Sequence, residues 1–518
     1  MTSVKIQSEH ALEVSVLVAL AWPTVRAATS AAYRRVFPYD AIRLGLASGL
    51  YLAVVAALAI YEPRWLRLPA VAATAIGAIL LWRSRPDYGV SSGLPPGSLA
   101  PLPVGPWSDP EFYKGQAMRH GPVFKVSQFG QPTVCLVGLD RANRLLLEHD
   151  EQLVAPPLPF SRFIEGGYLR YLPEQTHDRY RRVFRALFHS EAVTAAEPHV
   201  ADVFRRGLAA MAERSARDGA VVVKPAVMRM MFEAWTTLFY GIDASHEDFQ
   251  RLQALCRVID IRKARWASHR RVAAALLEIE AILRRRAASL GPLDTPSCFL
   301  AALVRADPDA LADRTILGNF IYIMQVSWGD VAGLLVWVVK NMGDHSEWRE
   351  RLEQATASPG GMGRDLATRI VSETLRLEQS EHRYRRATSA FDLDGFRIPK
   401  GWLVRMCIRE SHQDPAVFPH PEVFDPDRFL GRRLPRDQYA PFGAFRLACV
   451  GEELTKAVGS AFAVALVSEV TWQVVADGPA EIDSFAHNAP NPLFSVRVTA
   501  RTKPGPDVRS SSVHGPIV

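Results

Sequence analysis

The sequence predicts a mainly α-helical domain with small β-sheets, an α+β class, behind an N-terminal membrane anchor. Three observations carry that expectation. An eighteen-residue run, Leu44 to Tyr61, contains no charge. A Pro- and Gly-rich stretch from Ser91 to Pro106 follows it. Beyond that stretch, many helical segments alternate with a few short strand-like pieces at Val123–Val126, Thr133–Val137 and Trp402–Met406. Of the 518 residues, 48% are hydrophobic and 22% charged, near globular averages, which excludes a disordered chain, collagen and a polytopic transporter.

The first 43 residues precede the anchor, which occupies 44–90. A bilayer core takes roughly 17–25 apolar residues per helix. The run 44–61 meets that length, and a second run, 68–82, is marginal. The first run begins too far along the chain, and lacks a cleavage site, for a cleavable signal. Arg34, Arg35 and Arg43 before the first run and Arg83 and Arg85 after the second place both flanks on the cytoplasmic side, with the large domain there too. One span plus an interfacial helix, or two core helices, are the other readings. Prolines fix φ and remove donors, so 91–106 reads as an extended linker. The large domain runs over 107–503, and the tail 504–518 reads as disordered.

The 61 Lys and Arg against 54 Asp and Glu give a net charge of +7, which suits an acidic protein partner or an anionic membrane. No basic block with interleaved aromatics is present, so nucleic acid is not an expected partner. Five scattered cysteines, odd in number and without CxxC spacing, argue against a disulfide framework or zinc site.

Within the large domain, Ile316 to Val339 is apolar nearly all round, as a buried helix is; a third membrane span is the rival reading, opposed by Asn319, Gln325, Ser327 and Asp330. Stepping 3.6 residues puts Ile316, Phe320, Ile323, Ser327, Asp330, Leu334 and Trp337 on one face. An acid expected to be buried mid-helix beside Gly329 and Gly333 suggests a helix that passes a ligand closely; a satisfied structural Asp is the alternative. A second helix carries Leu366, Ile370, Glu373 and Leu377 on one stripe, with Arg376 three residues after the acid and near enough to pair with it. A carboxylate on an apolar stripe needs such a partner to offset its desolvation.

These pieces acquire a joint meaning near the C-terminus. Ala440-Pro441-Phe442-Gly443-Ala444-Phe445-Arg446-Leu447-Ala448-Cys449-Val450-Gly451 resembles the haem-ligand loop of the cytochrome P450 family, approximately FGxGxRxCxG followed by a helix. Glu373-Thr374-Leu375-Arg376 resembles that family's ExxR motif, and Phe424 to Phe429 its FxPxRF segment, whose Arg428 would complete a triad with Glu373 and Arg376. His177 to Arg182 resembles its HxxxRR helix. Arg385-Arg386-Ala387-Thr388, Gly395 to Gly401, and Asp414-Pro415 with Phe418-Pro419 match its strand region and meander. The resemblance covers about residues 95–500. It implies the cytochrome P450 fold, a haem b with Cys449 as the thiolate ligand of the iron, and His177, Arg181, Arg385 and Arg446 as cations toward the haem propionates.

The chemistry is consistent with that implication. Gly451 to Leu454 open an apolar helix, so Cys449 stands just before a helix N-terminus, where unpaired N–H groups and the dipole favour a thiolate. A thiolate donates strongly to iron and favours O–O cleavage. The sequence also departs from the family. Phe445 stands for a Gly, Leu447 for a basic residue, and Ser327-Trp328-Gly329-Asp330-Val331 keeps the acid of (A/G)GxDT while valine replaces the alcohol.

The function implied is a membrane-bound monooxygenase oxidising a lipophilic small molecule in secondary metabolism, with Asp330 and Val331 as catalytic positions. Trp328, Asp330 and Val331 would face a substrate roofed by the segment from Pro156 to Leu172. No flavin module is visible, so electrons from NAD(P)H would arrive through a separate reductase or ferredoxin. Arg432, Arg433 and Arg436 would form a docking patch or a solvated face. An isomerase or dehydratase on the same fold, or a haem-binding protein without turnover, are the alternatives.

Overall fold

The computed structural model describes residues 93–99, 109–128, 131–156, 163–172, 174–189, 191–260, 268–290, 296–358, 362–378, 383–444, 448–482 and 488–501. The expected anchor, most of the linker, the tail and the loop residues Phe445, Arg446 and Leu447 lie outside the described residues.

In chain order the helices are α1 (Phe112–His120), α2 (Leu139–Glu148), α3 (Glu174–Phe188), α4 (Glu191–Asp218), α5 (Val223–Tyr240), α6 (Phe249–Val258) and α7 (His269–Ser289). They continue with α8 (Phe299–Ala306), α9 (Arg314–Asp344), α10 (Ser346–Ala357), α11 (Met362–Leu377), α12 (Ile408–Ser411) and α13 (Glu452–Glu469). The strands are β1 (Gly97–Ser98), β2 (Val123–Gln128), β3 (Gln131–Leu136), β4 (Leu153–Val154), β5 (Val221–Val222), β6 (Arg383–Ala387) and β7 (Phe391–Leu393). Six more follow: β8 (Phe396–Ile398), β9 (Leu403–Met406), β10 (Val470–Ala476), β11 (Glu481–Ile482), β12 (Asn488–Ala489) and β13 (Ser495–Ala500). Helices dominate and the sheets are small, as expected. The largest sheet has six strands in the order β1-β2-β3-β9-β6-β4.

The long helix α9 organises the core. Its first turn is capped by Asp313, whose carboxylate accepts from the backbone N–H of Thr315 at 2.9 Å and of Ile316 at 3.1 Å. Tyr180 of α3 donates to the other oxygen of the same carboxylate at 3.0 Å, which ties the two helices together. Helices α5, α11 and α13 pack around α9. By length and composition α9 is apolar enough to cross a membrane, and 72% of its most apolar window is buried inside the protein. Burial by neighbouring helices on several sides is what a helix without a polar face requires.

The ion triad forms at the end of α11. Glu373 and Arg376 have fully buried side chains. Arg376 forks onto the carboxylate through Nε and Nη2, each at 2.7 Å, and Arg428 adds a contact at 3.3 Å. The backbone N–H of Asp425 donates to the same carboxylate at 3.0 Å. Arg376 also donates to the carbonyls of His412 and Val423, and Arg428 to those of Pro419, His420 and Val423. Two guanidinium groups therefore gather an irregular segment, 412–429, that has little regular structure to hold it.

Candidate active site

A cavity lies between α9 and the loop preceding α13. One wall is a single face of α9, made of Ile323, Val326, Ser327, Asp330, Val331 and Leu334. Across from it stand Pro441, Phe442 and the turn Ala448-Cys449-Val450, with Thr455 from the first turn of α13. His177 and Arg181 of α3 and the segment Tyr168 to Arg170 complete the lining, with Leu375.

Each functional side chain is placed by local structure. Cys449 lies two residues before the N-cap of α13, Gly451, and its N–H donates to the Phe442 carbonyl at 3.0 Å. The loop is braced on two sides. Arg181 donates to the Ala448 carbonyl at 2.6 Å, and Arg383 of β6 donates to the Phe442 carbonyl at 2.8 Å. Gly443 has φ of 75°, a backbone conformation that favours glycine. Burial and the neighbouring Arg185 pull the Arg181 guanidinium below its ordinary pKa, while Cys449 and Asp178 oppose them.

His177, one turn before Arg181, is buried with Nδ1 3.0 Å from an Asp178 carboxylate oxygen. His412 holds the loop to the triad. Its carbonyl receives Arg376, and its Nε2 accepts from the backbone N–H of Ala440 at 3.0 Å. Burial, and secondarily the Arg376 charge, push its pKa down to about 3, so the ring is a neutral acceptor at physiological pH.

Several expectations are corrected. Asp330 is exposed to the cavity rather than buried, while Val331 is buried in the same wall. Trp328 turns away from the cavity. Its indole packs edge-on against Phe232 at 5.0 Å and donates to the Met228 carbonyl at 2.8 Å. Arg385 is buried and donates to the Tyr384 carbonyl at 2.7 Å. Two residues earlier, Arg383 reaches the loop at the Phe442 carbonyl. Arg436 is bridged to Glu452 of α13, while Arg432 and Arg433 remain exposed.

Three participants carry no sequence motif. Asn319, fully buried on α9, donates to the Gly167 carbonyl at 3.0 Å and accepts from the Leu169 N–H at 2.6 Å, pinning the cavity segment to the helix. Its position in an apolar run was the available signal. Ser327 receives the Trp235 indole N–H at 2.7 Å and donates to the Met324 carbonyl at 3.2 Å. Arg170 adds a cation to the lining.

The lining suits a haem. An apolar slot has a cysteine at one wall and a histidine–arginine pair at its edge, the donor set for iron and for carboxylates. Among the described residues no group of three or more His, Cys, Asp and Glu side chains is arranged to hold a metal ion.

The family model described as Cytochrome P450 matches residues 363–493. Abscisic acid 8'-hydroxylase 3 of Oryza sativa subsp. indica is 27% identical over 419 residues, covering 74% of this chain and 82% of the relative. Cytochrome P450 26A1 of Danio rerio is 24% identical, covering 78% and 91%. The solved structure of retinoic acid bound cyanobacterial CYP120A1 superposes with a TM-score of 0.67 at 22% identity, covering 79% of this chain and all of that one.

Proposed function

We propose, from the premise that the chain belongs to the cytochrome P450 family, that it is a haem-thiolate monooxygenase acting on a lipophilic small molecule. The observation that carries the reading is the position of Cys449, in a cavity wall just before the N-terminus of α13 and across from α9. Relatives named for hydroxylating abscisic acid support a lipophilic substrate. A haem held there, with Cys449 as thiolate ligand, would supply O₂ activation with electrons from a separate reductase or ferredoxin.

The chain's own residues bind, orient and manage protons. With a haem bound, His177 and Arg181 would hold its anionic edge. Cys449 lies just before the N-terminus of α13, where helix N–H groups and the dipole would favour a charged sulfur. Ile323, Val326, Val331 and Leu334 exclude water from the α9 wall. Asp330 on that wall is the titratable group placed to hold and hand on protons. Val331 presents methyls where the family has an alcohol, so the nearest hydroxyl of that face is Ser327, a turn earlier.

Membrane attachment through 44–61 and 68–82, a cytoplasmic orientation and a role in secondary metabolism complete the proposal. The valine at 331 favours one second reading, an isomerase or dehydratase that needs neither O₂ nor reductant.

Ferrous protein with carbon monoxide should give the red-shifted Soret band of thiolate ligation. Cys449→Ala should abolish it while Cys407→Ala keeps it; a thiolate spectrum from Cys449→Ala protein would overturn the assignment. Substrate conversion should require NAD(P)H, a reductase and O₂. Conversion under nitrogen without reductant would overturn the monooxygenase in favour of the isomerase.

A further inference from the structure

Resting on the haem-thiolate reading of this cavity, we propose that the substrate carries a neutral oxygen and that Ser327, positioned by Trp235 of α5, donates a hydrogen bond to it. Ser327 is the one hydroxyl among the α9 residues that line the cavity. Its oxygen accepts the Trp235 indole N–H at 2.7 Å. Trp235 is 1% exposed, and an indole N–H can only donate. The contact therefore fixes the serine oxygen from the α5 side, a helix that packs along α9.

A serine inside a helix ordinarily turns its proton back to a carbonyl one turn earlier, which hides it from a ligand. Ser327 makes that contact with Met324 at 3.2 Å, longer than the indole bond. Carbonyls inside a helix already accept a ladder N–H, so the proton is free to swing to a better acceptor in the cavity. A hydroxyl has one donor and two lone pairs. The indole occupies a lone pair and leaves the proton available. Accepting that bond also polarises the O–H and strengthens it as a donor.

The wall selects the kind of oxygen. Asp330 lies three residues on along the same face, and a like-charged ligand group beside it is opposed. Ile323 and Val331, four residues to either side of Ser327, are its apolar neighbours on the helix surface. A ketone, ether or hydroxyl oxygen on an apolar skeleton fits this setting, and a carboxylate does not.

The test is an optical titration of the full-length, haem-loaded protein with 2-, 4- and 6-undecanone, undecane and undecanoic acid. The ketones carry one oxygen at different depths on the same chain. Ser327→Ala should weaken the tightest ketone about fivefold, equivalent to about 1 kcal/mol, and change undecane by less than about twofold. Trp235→Phe keeps an aromatic ring and removes the N–H. It should weaken the same ketone, with no further effect in the Ser327→Ala background. Ser327→Thr, which keeps a hydroxyl, should retain part of the preference. If no ketone binds, or if Ser327→Ala weakens ketone and undecane equally, the proposal is overturned. A Trp235→Phe effect that persists without Ser327 would make the tryptophan a packing element and overturn it too. Undecanoic acid binding more tightly than every ketone, unaffected by Ser327→Ala, would do the same. So would loss of haem from both Ser327→Ala and the Ser327→Ala, Trp235→Phe double variant. Wild-type protein with no thiolate spectrum would sink the haem reading itself, a result visible before any titration.

Discussion

Replacing Glu373 by alanine is the sharpest test of how this fold is held. The carboxylate is fully buried and accepts from Arg376 twice at 2.7 Å, from Arg428 at 3.3 Å and from the Asp425 N–H at 3.0 Å. Hydrogen bonds to charged groups contribute about 1.5–3 kcal/mol each, and such values do not add within one network. The greater cost comes from what remains behind: Arg376, also fully buried, would keep its charge without a counter-ion. Breaking a buried pair by removing one partner costs about 3–5 kcal/mol. That is a large share of the roughly 5–15 kcal/mol that a folded protein has in total.

Urea unfolding should therefore show a lower midpoint with an unchanged slope, together with a fall in haem recovered per protein. If Glu373→Ala does not fold, Glu373→Gln serves, since its carbonyl oxygen still accepts from one arginine. The double variant Glu373→Ala, Arg376→Ala should be no worse than Glu373→Ala alone, because it also removes the orphaned charge. A Glu373→Ala protein with wild-type midpoint, or strictly additive losses in the double variant, would refute the reasoning.

Two further outcomes are expected. His412 has a folded pKa of about 3 against an ordinary value of 6.5, so only the unfolded chain takes up its proton between those limits. Stability from this group is complete above about pH 6.5 and falls as pH drops, by about 2 kcal/mol at pH 5. His412→Gln should lose less between pH 7 and 5 in the same urea assay, and parallel pH curves would contradict the assignment. Val331→Thr is nearly isosteric and adds a hydroxyl to a cavity wall. It should keep the fold and change product formed per NAD(P)H, whereas an enzyme indifferent to reductant would show no such change.

The helical period made most of the site legible. Stepping along α9 brought Ile323, Ser327, Asp330 and Leu334 to one face, and those four line the cavity. The same pattern cannot separate a cavity from a packed core, because both face away from bulk water. That is why Asp330, exposed to the slot, reads in sequence as a buried acid. Side-chain length defeated the expectation for Trp328, whose indole reaches a carbonyl on α5. On β6 the period of two puts Arg383 and Arg385 on the same face, both buried, and Arg383 donates to the loop at Phe442, a contact no sequence pattern marks. Asn319, His412 and Arg170 act through backbone groups or in irregular segments, where no periodicity marks a residue.

The haem-loop departures acquire a physical account from the same contacts. In the family pattern a glycine at 445 and a basic residue at 447 shape and neutralise the loop; here those positions hold Phe and Leu. The described part of the loop is braced from outside instead, by Arg181 at Ala448 and by Arg383 at Phe442, one on each side of 445–447. His412 adds a third tie at Ala440. Each brace uses a backbone carbonyl or N–H, so none depends on the side chains that changed. A loop fixed through its backbone can exchange side chains at 445 and 447 while Cys449 keeps its place before α13. Among the described residues, Arg181 brings a positive charge next to the cysteine from a helix, where neighbouring turns restrict its movement.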